Sequence, residues 1–228
     1  MGLSIIVPTL DEADGIATAL TALAPLRERG VEIVVADGGS RDSTVERARP
    51  FADRVVTAPR GRGAQMNAGA AAATGRVLLF LHADTRLPAD ADRLVRDGLA
   101  RSGRIWGHFD VRIAGAHPLL PVVAATMNLR TRATGVATGD QAMFMTREAF
   151  GPGFPDIPLM EDVALAKRLK RRGPPLGLAG PVITSGRRWE RHGVLRTVLL
   201  MWWLRLAYFF GADPAKLARA YGYVPRSS

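Results

Sequence analysis

The chain has 228 residues, 47% of them hydrophobic and 23% charged, which suits a folded globular protein and argues against disorder. It carries 31 Lys and Arg against 21 Asp and Glu, a formal charge of +10, and nearly all of the cations are arginine. It contains no cysteine, which excludes disulfides, thiolate metal sites and a cysteine nucleophile. The charge favours anionic partners such as phosphates, nucleic acid or an anionic membrane face. A GC-rich genome enriches arginine equally well, so charge alone does not choose the partner.

In chain order, residues 4–7 read as a buried strand that runs into Pro8-Thr9-Leu10-Asp11-Glu12. Residues 3–10 are too short, and lack the basic start, for a signal peptide. A helix is predicted over 15–26, with Asp14 as its N-cap and Ile16, Leu20 and Leu23 at helical spacing. A second strand over 32–36 ends in Asp37-Gly38-Gly39-Ser40. A short helix over 44–49, capped by Ser43, leads to a third strand over 54–57. The turn Arg60-Gly61-Arg62-Gly63 precedes an alanine-rich helix over 65–73. The run Val77-Leu78-Leu79-Phe80-Leu81 is the fourth strand, and it stops abruptly at His82-Ala83-Asp84. Alternation of this kind predicts an α/β fold, a mostly parallel sheet with helices on both faces.

The second half reads differently. Residues 106–113 suggest a more exposed, antiparallel strand, 119–133 a helix, 141–145 a strand and 161–172 an amphipathic helix. No linker-like composition and no internal repeat interrupt the chain, so one domain is expected over 1–228. It would have a nucleotide-facing half to about residue 115, an acceptor-facing half over about 116–193, and an apolar region over about 194–228. That last region holds Trp202, Trp203, Tyr208, Phe209 and Phe210, but Arg196 and Arg205 make it a poor spanning helix. It reads either as a buried terminal helix or as one lying on a membrane surface.

In a parallel sheet the polar residues after each strand gather at one edge, where open α/β sheets bind ligands. Each group also has a plainer role. Asp84 either starts a turn or holds a divalent cation through oxygen. Asp37-Gly38 forms a turn or receives a nucleobase or ribose. Arg60-Gly61-Arg62-Gly63 is a solvated loop or supplies guanidinium and backbone donors to phosphate. Asn67 caps the fold, faces solvent or serves the site.

Taken together, the motifs resemble glycosyltransferase family 2, whose fold is the Rossmann-like GT-A. They are Ile5-Ile6-Val7-Pro8-Thr9-Leu10-Asp11-Glu12, Val34-Val35-Ala36-Asp37-Gly38-Gly39-Ser40, Asn67-Ala68-Gly69, Leu79-Phe80-Leu81-His82-Ala83-Asp84, Met160-Glu161-Asp162 and Arg188-Trp189. The similarity spans roughly residues 3–190. It is greatest to a small bacterial subgroup with His-Ala-Asp at the metal motif. The resemblance implies a nucleoside diphosphate sugar of UDP or GDP type as donor, with Mn²⁺ or Mg²⁺ as cofactor. It implies that Pro8, Thr9, Glu12, Asp37, Gly38, Arg60, Gly63, Asn67, His82, Ala83 and Asp84 line the nucleotide site. By the same likeness Asp84 and His82 are metal ligands, His82 replacing the first acid of Asp-x-Asp. Asp162 is the catalytic base, and Glu161, Arg188 and Trp189 serve the acceptor and diphosphate. Ser185 stands where the family's Gln-x-x-Arg-Trp motif has glutamine.

The implied reaction is inverting transfer of a sugar to an acceptor hydroxyl. A sugar-1-phosphate nucleotidyltransferase would be expected to carry a glycine-rich basic loop directly after the first strand, where Pro8-Thr9-Leu10-Asp11-Glu12 stands. A non-catalytic basic membrane-binding module leaves Asp37, Asp84 and Asp162 unexplained. No stacking motif for single-stranded nucleic acid is present, so no nucleic acid partner is expected. The apolar C-terminal region suggests a lipid-like acceptor and a cytoplasmic enzyme with peripheral contact to the inner face of the membrane.

Overall fold

Period-two side-chain alternation, buried on both faces, builds the centre of the molecule. The structure, a computed structural model, describes residues 2–223. Its N-terminal half contains β1 (Leu3–Thr9), α1 (Ile16–Thr21), α2 (Ala24–Glu28), β2 (Glu32–Asp37), α3 (Thr44–Ala48), β3 (Arg54–Thr57), α4 (Arg62–Ala72) and β4 (Val77–Phe80). The rest comprises β5 (Thr85–Arg86), α5 (Ala91–Ser102), β6 (Trp106–Ala114), α6 (Leu120–Thr134), β7 (Phe144–Thr146), α7 (Arg147–Phe150), α8 (Glu161–Lys170), β8 (Leu176–Ser185), α9 (Arg187–His192), α10 (Val194–Phe209) and α11 (Pro214–Tyr221).

All eight strands form one sheet in the order β3-β2-β1-β4-β7-β6-β8-β5. β1 runs parallel to both β2 and β4, with Ile6 opposite Val34 on one side and Phe80 on the other. Leu3, Ile5, Val7, Ile33, Val35, Val77 and Leu79 face one core, which α1, α2, α5 and α6 cover. Ile6, Val34, Leu78 and Phe80 face the other, against α4 and α8. Such strands read as continuous apolar runs because neither face meets water. Chain order reverses between β1 and β4, so a crevice opens at their carboxyl ends.

Several expectations from the sequence are corrected. The helix over 15–26 is two helices, because Pro25 stands at the start of α2 and has no N–H to continue α1. Asp14 does not cap α1; the Glu12 carbonyl accepts the N–H groups of Gly15 and Ile16 instead. Ser43 sits at the α3 cap position without a side-chain bond, and Asp42 accepts the Thr44 N–H at 3.0 Å. α4 begins at Arg62, with Gly61 at φ +136°, so half of the supposed glycine-rich turn is helix. Residues 139–141 form a 3₁₀ turn, and the following strand starts only at Phe144.

β6 is interior, not exposed. It pairs antiparallel with β7 and parallel with β8, and it is buried from Trp106 to Val111. Gly107 makes this possible, since a Cβ there would lie 2.3 Å from the Leu176 carbonyl oxygen. The partner β8 escapes sequence reading because it contains Gly177, Gly180 and Pro181. Its register slips between Phe109 and Val111, a bulge that accommodates a proline lacking a ladder donor. β8 ends at Ser185 and delivers α9 to the crevice.

α10 is not a buried helix. It buries only Val194, Thr197 and Leu204, whereas Leu195, Leu199, Trp202, Trp203, Leu206 and Phe209 are exposed. Among the described residues, no helix is long and apolar enough to cross a membrane.

Candidate active site

The crevice at the ends of β1 and β4 is a cavity of about 610 Å³. Pro8, Thr9 and Glu12 line it from the β1 side, and His82, Ala83 and Asp84 from the β4 side. Arg62 enters from the first turn of α4, while Arg187, Arg188 and Trp189 of α9 form the far wall. An adjoining cavity of about 70 Å³ holds Glu161 and Asp162. Arg62, His82, Asp140, Met201 and Tyr221 line both spaces, so the two are compartments of one site.

Asp37, Gly38, Arg60, Gly63 and Asn67 lie outside both linings. The Asp37 carboxylate turns back on its own loop, accepting the N–H groups of Gly39 and Ser40 at 2.9 and 3.0 Å and the Ser40 hydroxyl at 2.5 Å. The space beside Gly38 belongs to Gln65, whose Nε2 would stand 2.8 Å from a Cβ there. Gln65 Nε2 donates to the Thr9 carbonyl at 2.6 Å and ties α4 to β1. Asn67 is taken up by the backbone of Phe154, donating to its carbonyl at 2.9 Å and accepting its N–H at 2.8 Å. Gly63 lets that same loop approach, with the Pro155 carbonyl oxygen 3.0 Å from an added Cβ. Arg60 is exposed.

The acids that reach the cavity are arranged in opposing pairs. Burial pushes the Glu12 carboxyl up, Arg187 pulls it down, and the nearby Asp84 charge pushes it up again. Arg187 Nη2 stands 4.0 Å from Asp84 with its guanidinium largely in solvent, so this contact is a weak one. His82 Nδ1 lies 3.4 Å from Asp140, and its Nε2 lies against Gly139, where a Cβ would come within 2.6 Å. Gly139 N–H donates to Asp162 Oδ2 at 2.8 Å. His82, Gly139 and Asp162 therefore form one continuous contact between the two compartments. Burial works against ionisation of Asp140, but His82, Arg62 and Arg130 outweigh it and hold the carboxyl below its ordinary range.

Glu161 and Asp162 open α8 directly after Met160, a non-glycine residue at φ +70°. Packing holds that backbone in place: Leu159, Met160 and Val163 cluster with Leu204 of α10 and with Leu217 and Ala218 of α11. Glu161 is buried, and its pKa is pushed up to about 7, first by desolvation and then by the Asp162 charge, with Arg62 opposing. Arg188 is sandwiched from the other side. Its guanidinium carbon lies 3.7 Å from the centroid of the Tyr221 ring, and its Nη2 donates to the Tyr221 carbonyl at 2.9 Å. Trp189 packs on the main core and so fixes the base of α9.

No three His, Asp or Glu side chains among the described residues converge to hold a metal by themselves. Asp84 is the half-exposed carboxylate that faces open cavity, whereas His82 is engaged by Asp140 and Gly139. This donor set fits a hard cation that completes its shell with oxygens of a bound diphosphate.

Sequence reasoning did not single out Gln65, Asp140, Arg187 or Tyr221 as site residues. Arg62 belongs to the Arg-Gly-Arg-Gly string read as a candidate phosphate donor, and it lines the cavity, whereas Arg60 does not. Asp140 and Tyr221 reach the site only through tertiary packing.

Residues 4–149 match the sequence profile of Glycosyl transferase family 2. A PGL/p-HBAD biosynthesis glycosyltransferase from Mycobacterium tuberculosis is 39% identical over 100 residues, covering 41% of this chain and 39% of that protein. An uncharacterized glycosyltransferase from Nostoc is 33% identical over 91 residues, covering 37% of this chain and 28% of that protein. The chain thus spans well under half the length of these curated relatives. Among solved structures, S. aureus TarS 1-349 in complex with UDP-GlcNAc superposes with a TM-score of 0.67 at 18% identity, covering 81% of this chain and 58% of that one. Glucosyl-3-phosphoglycerate synthase from M. tuberculosis, in complex with Mn²⁺, UDP and phosphoglyceric acid, gives 0.57 at 19% identity, covering 79% and 68%. At such identities the likeness establishes the fold, which is GT-A.

The raised Glu161 pKa sets a direction for stability against pH. The folded chain binds this proton more tightly than the unfolded chain, whose carboxyl has the ordinary value of 4.5. Stability is therefore fully present below pH 4.5 and declines as pH rises towards 7, by on the order of 2–3 kcal/mol from this group. Glu161→Gln should flatten that decline. Urea unfolding at pH 5 and pH 8 is the check, and an unchanged difference between the two would remove the assignment.

Proposed function

The chain belongs to glycosyl transferase family 2, and on that footing we propose that it moves a sugar from a nucleoside diphosphate sugar to an acceptor hydroxyl with inversion at the anomeric carbon. One observation carries the reading: a cation-lined cavity at the β1/β4 switch point adjoins a compartment holding an acid pair at a helix start. Pro8, Thr9 and Glu12 line the nucleoside side. Arg62, Arg187 and Arg188 face the space where a diphosphate leaves, and their charge acts on the negative charge that develops there. The solved neighbours that carry UDP or UDP-GlcNAc support a uridine donor. The portion to about residue 115 serves the donor, and the portion over about 116–193 serves the acceptor.

In the reaction, the acceptor oxygen attacks the anomeric carbon from the face opposite the diphosphate. The new carbon–oxygen bond forms as the bond to the diphosphate oxygen breaks, and the electron pair departs with the diphosphate. Asp162 takes the acceptor proton. The Gly139 N–H and the start of α8 fix its carboxylate. Asp84 would hold Mn²⁺ or Mg²⁺, which when bound supplies further positive charge to the diphosphate. His82, engaged by Asp140, positions the partition between the compartments.

The exposed aromatic stripe of α10, flanked by Arg196 and Arg205, lies on an anionic membrane surface in this reading, with a lipid-like acceptor presented from it.

Asp162→Asn should abolish sugar transfer, measured as release of nucleoside diphosphate, while nucleotide affinity stays within a few-fold. Normal turnover by that variant would refute the base assignment. Asp84→Ala should lose the Mn²⁺-dependent part of UDP binding by calorimetry; identical titrations with and without Mn²⁺ in both proteins would dismiss the cation. The full chain should float with phosphatidylglycerol liposomes and lose this on Trp202→Ser with Phe209→Ser. Recovery of the native chain only in the dense fraction would count against membrane contact.

A further inference from the structure

A third space, of about 150 Å³, lies between α6 and α10. One wall is a helical stripe of α6, Val123, Thr126, Met127 and Arg130. The other is the matching stripe of α10, Val198, Met201, Trp202 and Arg205. The spacing is the same on both helices, so the two stripes run side by side. The groove is mostly apolar. Outside it, the exposed Val122 and Leu129 of α6 and Leu199 and Leu206 of α10 continue the apolar surface. Inside, Met127, Met201, Trp189 and Asp140 also line the donor cavity. Asp140, Met201 and Arg205 line the compartment of Asp162 as well. The groove therefore leads from the exposed face of α10 to the proposed base.

Arg130 is the anomaly in it. Its Nη1 is buried with no hydrogen-bond partner among the described residues, and it takes part in none of their ion pairs. Its Nη2 makes a single bond of 3.3 Å to the Thr131 hydroxyl. The charges of Asp162 and Asp140 act on Arg130 from beyond ion-pair distance, but neither accepts from Nη1, and a buried donor left unmet is costly. Arg205 stands on the opposite wall.

We propose that this α6–α10 groove is the acceptor site, and that it takes an amphiphile with a hydrocarbon chain and an anionic group close to its reacting end. The chain lies between Val123 and Val198 and continues over the exposed face of α10. The anionic group, a phosphate or carboxylate, meets Arg130 and directs the hydroxyl end towards Asp162. This inference rests on the transferase reading for the identity of the ligand as acceptor, but the binding site is testable apart from it.

The probe is n-decyl phosphate below its micelle concentration, titrated calorimetrically into the full chain with UDP present, beside inorganic phosphate alone. One molecule of decyl phosphate should bind per chain, and inorganic phosphate should bind at least about tenfold more weakly. Arg130→Gln should weaken decyl phosphate about tenfold, and Val198→Trp, which fills the groove, should abolish its binding. UDP affinity should be unchanged in both. Arg130→Gln decides the matter by itself should Val198→Trp lose its fold. The proposal is overturned if decyl phosphate does not bind, if inorganic phosphate binds as tightly, or if Arg130→Gln leaves decyl phosphate binding unchanged. Failure of the wild-type chain to bind UDP would instead bring down the transferase reading, leaving the decyl phosphate titrations to judge the groove.

Discussion

The register of β1 against β4 is the constraint on which the site depends. Leu3 pairs with Val77 and Ile6 with Phe80, and alternate residues of both strands fill two separate cores. A one-residue slip would exchange those faces and turn both sets of apolar side chains the wrong way. The pairing is therefore fixed, and with it the level at which each strand leaves the sheet. Thr9 and His82 emerge beside each other because of burial beneath them. Gly69 tightens the same arrangement, since α4 lies so close to β1 that a Cβ there would be 2.4 Å from Ile6 Cγ2. That approach brings Arg62 and Gln65 to the rim.

Charge in the crevice is balanced locally although the chain as a whole is strongly basic. Glu12 and Asp84 repel each other across one compartment, and Glu161 and Asp162 do so in the next. Arginines from three different elements, α4, α6 and α9, stand among them. Such a mixture disfavours a dry, empty site and favours ligands that carry both negative charge and hydrogen-bonding groups. Burial and the neighbouring Asp162 charge resist ionisation of Glu161.

The first half of this architecture was legible in the sequence because parallel strands buried on both faces announce themselves as apolar runs. β3 was read at its observed bounds, and β1, β2 and β4 within one or two residues at each end. β8 was not legible. Two glycines and a proline disguise a strand whose pairing survives only through a bulge against β6. The exposure of β6 was misjudged for the same reason, since its neighbour was unseen. In the crevice, Pro8 and Thr9 end a strand and Glu12, His82, Ala83 and Asp84 follow one, so all could be placed by position along the chain. Asp37 follows a strand equally well, yet Ser40 three residues later captures its carboxylate, a choice set by local turn chemistry. Asp140 carries no motif of its own; its importance comes from His82, far away in sequence.

Arg62, His82, Asp140, Met201 and Tyr221 form a party wall between the two compartments. Any change to that wall is felt on both sides at once, so in the proposed reading donor and acceptor preferences are not independently adjustable there. In the proposed reading, laboratory evolution aimed at a new nucleotide has freer ground at Thr9 and Glu12, and aimed at a new acceptor at Val123 and Val198, where each residue borders a single room.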